Sequence, residues 1–376
     1  VIKTNLVVVK KFLTIILLIS CLSCHKEQES ERFTLLPLQA GVNVMQQGAK
    51  GDGLTDDTDA FEKAMRMADS LRIAVFIPTG IYKADIKIMY DGIKLAGQGQ
   101  PTISFKNGSI IIGSINCNNK KNIHISNLGI DARETKADAA LTSGDGCDSV
   151  DLYQTFDHIS LIGGGYHAYN HGILCQTGRR IIITNILVKD FFHGIAIRSS
   201  QVKLDSIEAI SCGFTSIIVK SAENKNRYTK DVTITNVTVK GNSQNPFERG
   251  GTIIVQSFED KSLTENIYIR KIISTDAGVS AVAIDEFRGK VNNVLVEDCQ
   301  ALNQGDDAIR ACFDINGGSN ITLKNCSSLQ ARGTGFRCTG SAQKVRAEQC
   351  YESGSGMQAW WGNFSYLQLN GVEIIK

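Results

Sequence analysis

The sequence has little proline, 4 residues in 376, and few aromatics, 7%. It also lacks a charge excess of either sign: 40 Lys+Arg against 38 Asp+Glu leave a formal +2. That balance excludes the basic footprint of a nucleic-acid-binding surface, so no nucleic-acid partner is expected. With 21% charged and 42% hydrophobic residues, the chain is neither disordered nor a coiled coil. Beyond Cys24, none of Cys117, Cys147, Cys175, Cys212, Cys299, Cys312, Cys326, Cys338 and Cys350 stands in a Cys-x-x-Cys pair, so zinc-ribbon and thioredoxin chemistry have no support. What is abundant is glycine, 35 residues. Much glycine with almost no proline suits many tight turns between short strands.

The N-terminal stretch distorts these totals. Lys10 and Lys11 precede the apolar run Phe12 to Leu22, about 11 residues, which is the length of a signal-peptide core and too short to span a bilayer. Val9 is a candidate start just ahead of the basic pair. The run ends in Leu18-Ile19-Ser20-Cys21 and Cys21-Leu22-Ser23-Cys24. These resemble a bacterial lipobox, whose Cys becomes the lipidated first residue. Cys21 fits that pattern better, and Cys24 sits nearer the polar residues that follow. The expectation is a signal peptide at 1–23, a polar tether at 24–39 and a domain at 40–376. The protein is then exported as an outer-membrane or cell-surface lipoprotein, with simple cleavage to a periplasmic or secreted protein as the alternative. Residues 1–23 hold three lysines and no acid, so what remains carries 37 − 38 = −1.

From about residue 120 the chain repeats itself. Ile123-His124-Ile125-Ser126-Asn127-Leu128, Ile182-Ile183-Thr184-Asn185-Ile186, Val232-Thr233-Ile234-Thr235-Asn236-Val237, Ile321-Thr322-Leu323-Lys324-Asn325-Cys326 and Tyr366-Leu367-Gln368-Leu369-Asn370-Gly371 share one pattern. Each unit carries a second short strand, opening at Gly172, Gly194, Ser216, Thr252, Ala281, Ala308, Gly335 and Gly356, in steps of 21 to 36 residues. Period-2 alternation inside such repeats predicts a solenoid of stacked parallel strands. Asn127, Asn185, Asn236, Asn325 and Asn370 then line one corner, where asparagine tolerates the left-handed conformation and can ladder through its amide. Cys299, Cys326 and Cys350 take the slot of Leu128, Ile186, Val237 and Ile272, and read as stacked small hydrophobes rather than disulfides. Cys175 and Cys338 fall in inward slots. Ahead of the repeat, Ala60, Phe61, Ala64, Met65, Ala68 and Leu71 recur at helical spacing after Asp56-Asp57-Thr58, predicting a helix that caps the first coil.

Gly48-Ala49-Lys50-Gly51-Asp52-Gly53-Leu54-Thr55-Asp56-Asp57-Thr58-Asp59-Ala60-Phe61 resembles the entry motif of the pectate lyase superfamily. Val75-Phe76-Ile77-Pro78-Thr79-Gly80-Ile81-Tyr82 and Leu95-Ala96-Gly97-Gln98-Gly99 follow in the family's order. The resemblance is to the rhamnogalacturonase/epimerase-like pectate lyase domain. It implies an all-β fold, a single-stranded right-handed parallel β-helix of about ten coils with an N-terminal capping α-helix. It also implies carbohydrate-active function, though the fold hosts hydrolases, lyases, epimerases and noncatalytic proteins.

Aligning the glycine-opened strands gives columns. Just before the opening stand His171, His193, Thr215, Gly251, Ser280, Asp307, Thr334 and Ser355. Two residues after it stand Leu174, Ala196, Ile218, Ile254, Ala283, Arg310, Arg337 and Gln358, and four after it Gln176, Arg198, Lys220, Gln256, Asp285, Cys312, Thr339 and Trp360. Alternation turns these last two columns outward. Arg198, Lys220, Asp285 and Trp360 are therefore candidate substrate-binding residues for a uronate chain, with ordinary solvated surface as the alternative. Gly305-Asp306-Asp307 resembles the polygalacturonase Gly-Asp-Asp motif, whose paired carboxylates activate water and protonate the leaving oxygen. Yet Ser280 stands where that family places an Asp, and Gly333-Thr334-Gly335 where a Gly-His-Gly belongs.

A second candidate is the pair His171 and His193, one coil apart, with Tyr166, His167 and Asp190 near in sequence and Asp145, Asp148 and Asp151 on a preceding loop. Such groups suit proton abstraction or a metal, or serve as structural turn residues. Lyases of the superfamily use a basic residue on the C5 proton, often with calcium. That resemblance points to Arg310 and Arg337, beside Arg198 and Lys220, and to calcium as the only cofactor implied. The long step across Ser221 to Pro246 marks an insertion on one face. The leading expectation is a glycoside hydrolase acting on an acidic, pectin-like polysaccharide through Asp306 and Asp307. A polysaccharide lyase or C5-epimerase using a His/Tyr or Arg base is the alternative, and a noncatalytic glycan-binding lipoprotein is a third.

Overall fold

A strand with every second residue apolar buries one face, and short strands of this kind bury it only by stacking on copies of themselves. The computed structural model describes residues 41–102, 104–144, 147, 149–165, 170–221, 228–241, 251–278, 280–303 and 311–375. The expected leader, tether, Cys21 and Cys24 lie outside the described residues, as do Asp145, Asp148, Tyr166, His167, Asp306, Asp307, Arg310 and parts of the Ser221–Pro246 segment.

Each coil of the repeat contributes a short strand and a longer bent one. The short strands are Ala139–Ser143 (β1), His171–Cys175 (β2), His193–Ile197 (β3), Thr215–Lys220 (β4), Gly251–Ser257 (β5), Ser280–Glu286 (β6), Ala311–Asn316 (β7), Thr334–Cys338 (β8) and Trp360–Gly362 (β9). Each pairs in parallel with the next, one coil on. The longer strands, such as Arg179–Lys189, Ser200–Ile210 and Tyr228–Lys240, pair in the same way. The fold is an all-β parallel β-helix. Its core is a set of ladders, one of them Cys175, Ile197, Val219, Val255, Ile284, Ile315 and Cys338, in register and fully buried.

The bend in the long strands is the asparagine corner. Asn127, Asn185, Asn236, Asn325 and Asn370 all have positive φ, between 51° and 58°. His158, Ser206, Lys271, Asp298 and Gln349 fill the intervening coils in the same left-handed conformation. The sequence suggested that these amides ladder with one another; Asn185, Asn236 and Asn325 do not. They donate to acids of the preceding coil: Asn185 Nδ2 to Asp157 Oδ1 (2.9 Å), Asn236 Nδ2 to Asp205 Oδ1 (2.7 Å) and Asn325 Nδ2 to Asp298 Oδ1 (2.7 Å). A charge-assisted bond offsets the steric cost of the left-handed residue better than a neutral one. Asn266 on Asp231 and Asn303 on Asp276 use the same device, whereas Asn293 ladders onto the amide oxygen of Asn266.

No disulfide joins the nine described cysteines, and all but Cys147 are buried. Cys299, Cys326 and Cys350 continue the corner ladder inward, and their thiols reach backbone carbonyls, as in Cys299 Sγ to Glu297 O at 3.2 Å. Burial pushes the Cys312 and Cys338 thiols up to about 11 and Cys175 and Cys212 to about 12.

The helix Thr58–Leu71 (α1) buries Ala60, Phe61, Ala64, Met65 and Ala68, and Phe61 meets Tyr82 edge-on with ring centroids 5.7 Å apart. Leu71, expected on that face, is 58% exposed; it falls in the last turn, where the chain leaves the helix at left-handed Arg72. The acids of the entry motif shape the loop ahead of α1. Asp57 accepts from Lys50 N (2.7 Å) and Gly51 N (3.1 Å), and Asp52 from Leu54 N and Thr55 N.

Candidate active site

The outer face of β1–β9 carries the densest chemistry. β2 and β3 each begin with a histidine in register, and the rings lie 5.0 Å apart, tilted by 35°. His171 Nδ1 is 3.1 Å from the Asp138 carbonyl oxygen. A carbonyl only accepts, so Nδ1 carries the proton and Nε2 keeps its lone pair. His193 is buried edge-on against Phe192 (ring centroids 4.6 Å) and Phe214 (5.3 Å), which stack on each other at 5.5 Å. The His193 Nδ1 is buried without a hydrogen-bond partner.

Both imidazoles are held neutral. Burial pushes His171 down to about 4, and the charges of Arg198 and Lys220 push the same way; the Asp138 carbonyl and carboxylate oppose them. His193 lies well below its ordinary value because of burial, then His171, Lys220 and Arg198. Two neutral bases and two cations thus share one patch. Beside it runs an apolar floor: Ala139, Leu174, Ala196, Ile218, Ile254 and Ala283 form a buried cluster separate from the main core, with Phe214 packed on it. The sequence reading turned this column outward; it is outward but buried, and makes a low-dielectric floor that strengthens nearby charges.

Two placements from the sequence are corrected by the observed register. Ala283 pairs with Asp314, not with Arg310, and Asp314 pairs with Arg337. Cys312, expected on the outer surface, is fully buried. The alignment on Ala308 ran four residues early, because Ala308-Ile309 imitates the opening pattern that Cys312-Phe313 fulfils. The second correction is Trp360, expected outside. It pairs with Phe336 and packs against the core, while Trp361 pairs with Arg337 and is 51% exposed.

Arg337 donates from Nε to Asp314 Oδ1 (2.7 Å) and from a terminal nitrogen to Oδ2. This bidentate pair suits a fixed cation rather than a proton acceptor. It stands five coils beyond His193, roughly 24 Å at the spacing of parallel strands, so it is not part of the imidazole patch. Asp285 is buried on β6, in register with Gln256 and Asn316, and continues the column of Lys220. Asp190 lies 3.7 Å from Lys189, and Asp151 is taken up by Arg179 (2.7 Å) and Arg180 (3.0 Å). Among the described residues no three His, Cys, Asp or Glu side chains converge to hold a metal ion; Asp145 and Asp148 lie outside the described residues.

Sequence reasoning missed Phe192, Phe214 and Asp314. The two phenylalanines were legible: each stands immediately before the same register position in successive coils. Asp314 was hidden by the misplaced register.

Residues 41–241 match the family described as rhamnogalacturonase A/epimerase, pectate lyase-like. The chain belongs to that family. As a rhamnogalacturonase A/epimerase-like protein it resembles three solved β-helices. The mannuronan C-5 epimerase A-module of Azotobacter vinelandii is 14% identical, with TM-score 0.57 over 86% of this chain and 98% of that one. A surface protein and adhesin of Streptococcus pneumoniae is 14% identical, with TM-score 0.56 over 88% and 99%. A family 28 exopolygalacturonase of Yersinia enterocolitica is 10% identical, with TM-score 0.54 over 88% and 77%. At these identities the likeness is one of fold. A non-secreted LysM effector of Penicillium expansum is 44% identical over 59 residues, 15% of this chain but only 5% of the effector's length.

Proposed function

We propose that the chain binds an acidic, uronate-containing polysaccharide along the outer face of β1–β9 and removes the C5 proton of one uronate, leading to elimination or epimerisation. The observation that carries this reading is the pair of neutral imidazoles beside Arg198 and Lys220, with His171 Nε2 free to accept. A carboxylate set against the two cations makes its neighbouring C5–H more acidic, because the charge that develops in the carboxylate is stabilised in place. The C5 proton goes to Nε2 and the C–H electron pair moves into the carboxylate. In elimination the pair returns to form a C4=C5 bond, the C4–O bond breaks and the leaving oxygen takes up a proton. In epimerisation a proton returns to C5 from the opposite face. Bound carboxylate also cancels part of the cationic field, which raises imidazole basicity when substrate is present.

Hydrolysis, the leading expectation from sequence, rests on Asp306 and Asp307, which lie outside the described residues. Inversion needs two carboxylates roughly 6.5–9.5 Å apart, and Asp314 on this face is committed to Arg337. The test is incubation with polygalacturonate and with alginate. Ultraviolet absorbance of an unsaturated uronate, or changed C5 configuration, supports the proposal. New reducing ends without either would establish hydrolysis instead. Binding without any product would leave a noncatalytic glycan-binding protein.

A further inference from the structure

Phe258 and Phe287 follow directly from β5 and β6, in the same position of adjacent coils. Their rings lie 5.3 Å apart, and both are solvent-exposed, 45% and 55%. Neither contributes to the core, so folding does not account for them. The adjoining corner is closely hydrogen-bonded. The hydroxyls of Ser221, Ser257 and Ser262 bond mutually at 2.8–2.9 Å, all buried. Phe287 N donates to Ser257 O (3.2 Å), and a Cβ on Gly289 would meet the Ser257 and Ser262 hydroxyls at 2.2 Å. In the next coil Gly317 stands against Glu286, where a Cβ would meet the Glu286 Cβ at 2.5 Å.

The pair also continues the proposed substrate path. Lys220, Gln256 and Asp285 stand in register on successive coils, and Phe258 and Phe287 lie two residues past Gln256 and Asp285. We infer that Phe258 and Phe287 form an aromatic platform that stacks on the apolar face of a pyranose ring, one or two sugars along the chain from the uronate held near Lys220. This rests on the reading of the face as a polyuronate-binding site and adds a subsite to it. Two pre-placed rings lose little side-chain entropy on binding, and the C–H bonds of a sugar face match their π-surface. Exposed Arg288 offers a cation to a neighbouring carboxylate.

The test is polyuronate binding by the full chain, measured by affinity electrophoresis in gels containing polygalacturonate or alginate. The Phe258→Ala/Phe287→Ala double variant is expected to bind about ten-fold more weakly at unchanged melting temperature, and Phe287→Trp to keep wild-type affinity. In Phe287→Trp the added indole is expected to shift its emission on adding the polymer, relative to wild type. Unchanged affinity of the double variant, or no emission shift at saturating polymer, would overturn the platform. Should the double variant fail to fold, the indole signal decides alone. Binding is read without turnover: weakened binding in a protein that shows no C5 chemistry would leave the platform standing and remove the catalytic reading, and intact binding in an active variant would do the reverse.

Discussion

His171 and His193 occupy the same register position on adjacent coils, with ring centroids 5.0 Å apart, and the Asp138 carbonyl fixes the protonated nitrogen of the first. Two imidazoles this close cannot both be charged at low cost, and burial with Arg198 and Lys220 keeps both neutral. The patch therefore holds proton acceptors beside fixed positive charge.

His171→Ala is expected to lower turnover on the polyuronate substrate by about 10²–10⁴-fold, the range of a lost general base. Polymer affinity should change little, because Arg198, Lys220 and the floor persist. Steady-state kinetics with gel affinity separates the two. A fall in affinity equal to the fall in turnover would mean that His171 binds rather than reacts.

The same histidines set a pH dependence of stability. Their folded pKa values lie below the unfolded value of about 6.5, so the unfolded chain binds more protons between the two. Their contribution is complete above about pH 6.5 and is lost as pH falls below it, toward about 4 for His171, by at most about 1.4 kcal/mol per pH unit for each imidazole. Half-buried His124 acts in the same direction. Asp157 and Asp205, held below the ordinary carboxylate range despite burial by bonds from Asn185, Thr184 and His158 and from Thr235 and Asn236, lose their contribution only below about pH 4. Urea unfolding at pH 7.5 and 5.5 should show the drop, and His171→Gln/His193→Gln should flatten it.

The corner predicts a difference between two substitutions. Asn325→Ala loses both the bond to Asp298 and a residue suited to φ 51°, and should cost about 1–3 kcal/mol. Asn325→Gly keeps the conformation, loses only the bond and should cost less. Thermal melting of the two variants checks the order.

Thiol chemistry should be sharply divided. Cys147 is exposed, whereas Cys117, Cys175, Cys212, Cys299, Cys312, Cys326, Cys338 and Cys350 are buried. Iodoacetamide on the native protein, followed by peptide mass mapping, should label Cys147 and spare those eight until denaturant is added. Burial alone predicts this, and the raised thiol pKa values reinforce it.

The β-helix, α1 and the inward ladders were legible because period-2 burial and the entry motif act locally. The His171/His193 register followed from equal spacing in two adjacent coils. Legibility failed where a coil changed length: beyond β6 the alignment on Ala308 placed Arg310 and Cys312 outside, whereas the hydrogen-bond register selects Asp314. Trp360 and Trp361 show the same limit, since one residue of slip exchanges the inner and outer faces. Phe258 and Phe287 lie just past the ends of β5 and β6, and their ring contact and exposure became visible only with the structure.

The central claim, proton removal at C5, is tested most directly by incubating the protein with a polyuronate in D2O and recording the proton NMR spectrum. The account predicts loss of the C5–H signal, through deuterium uptake with inversion or through a new C4 vinyl proton of an unsaturated end, abolished in His171→Ala. New reducing-end signals with C5–H intact would contradict it.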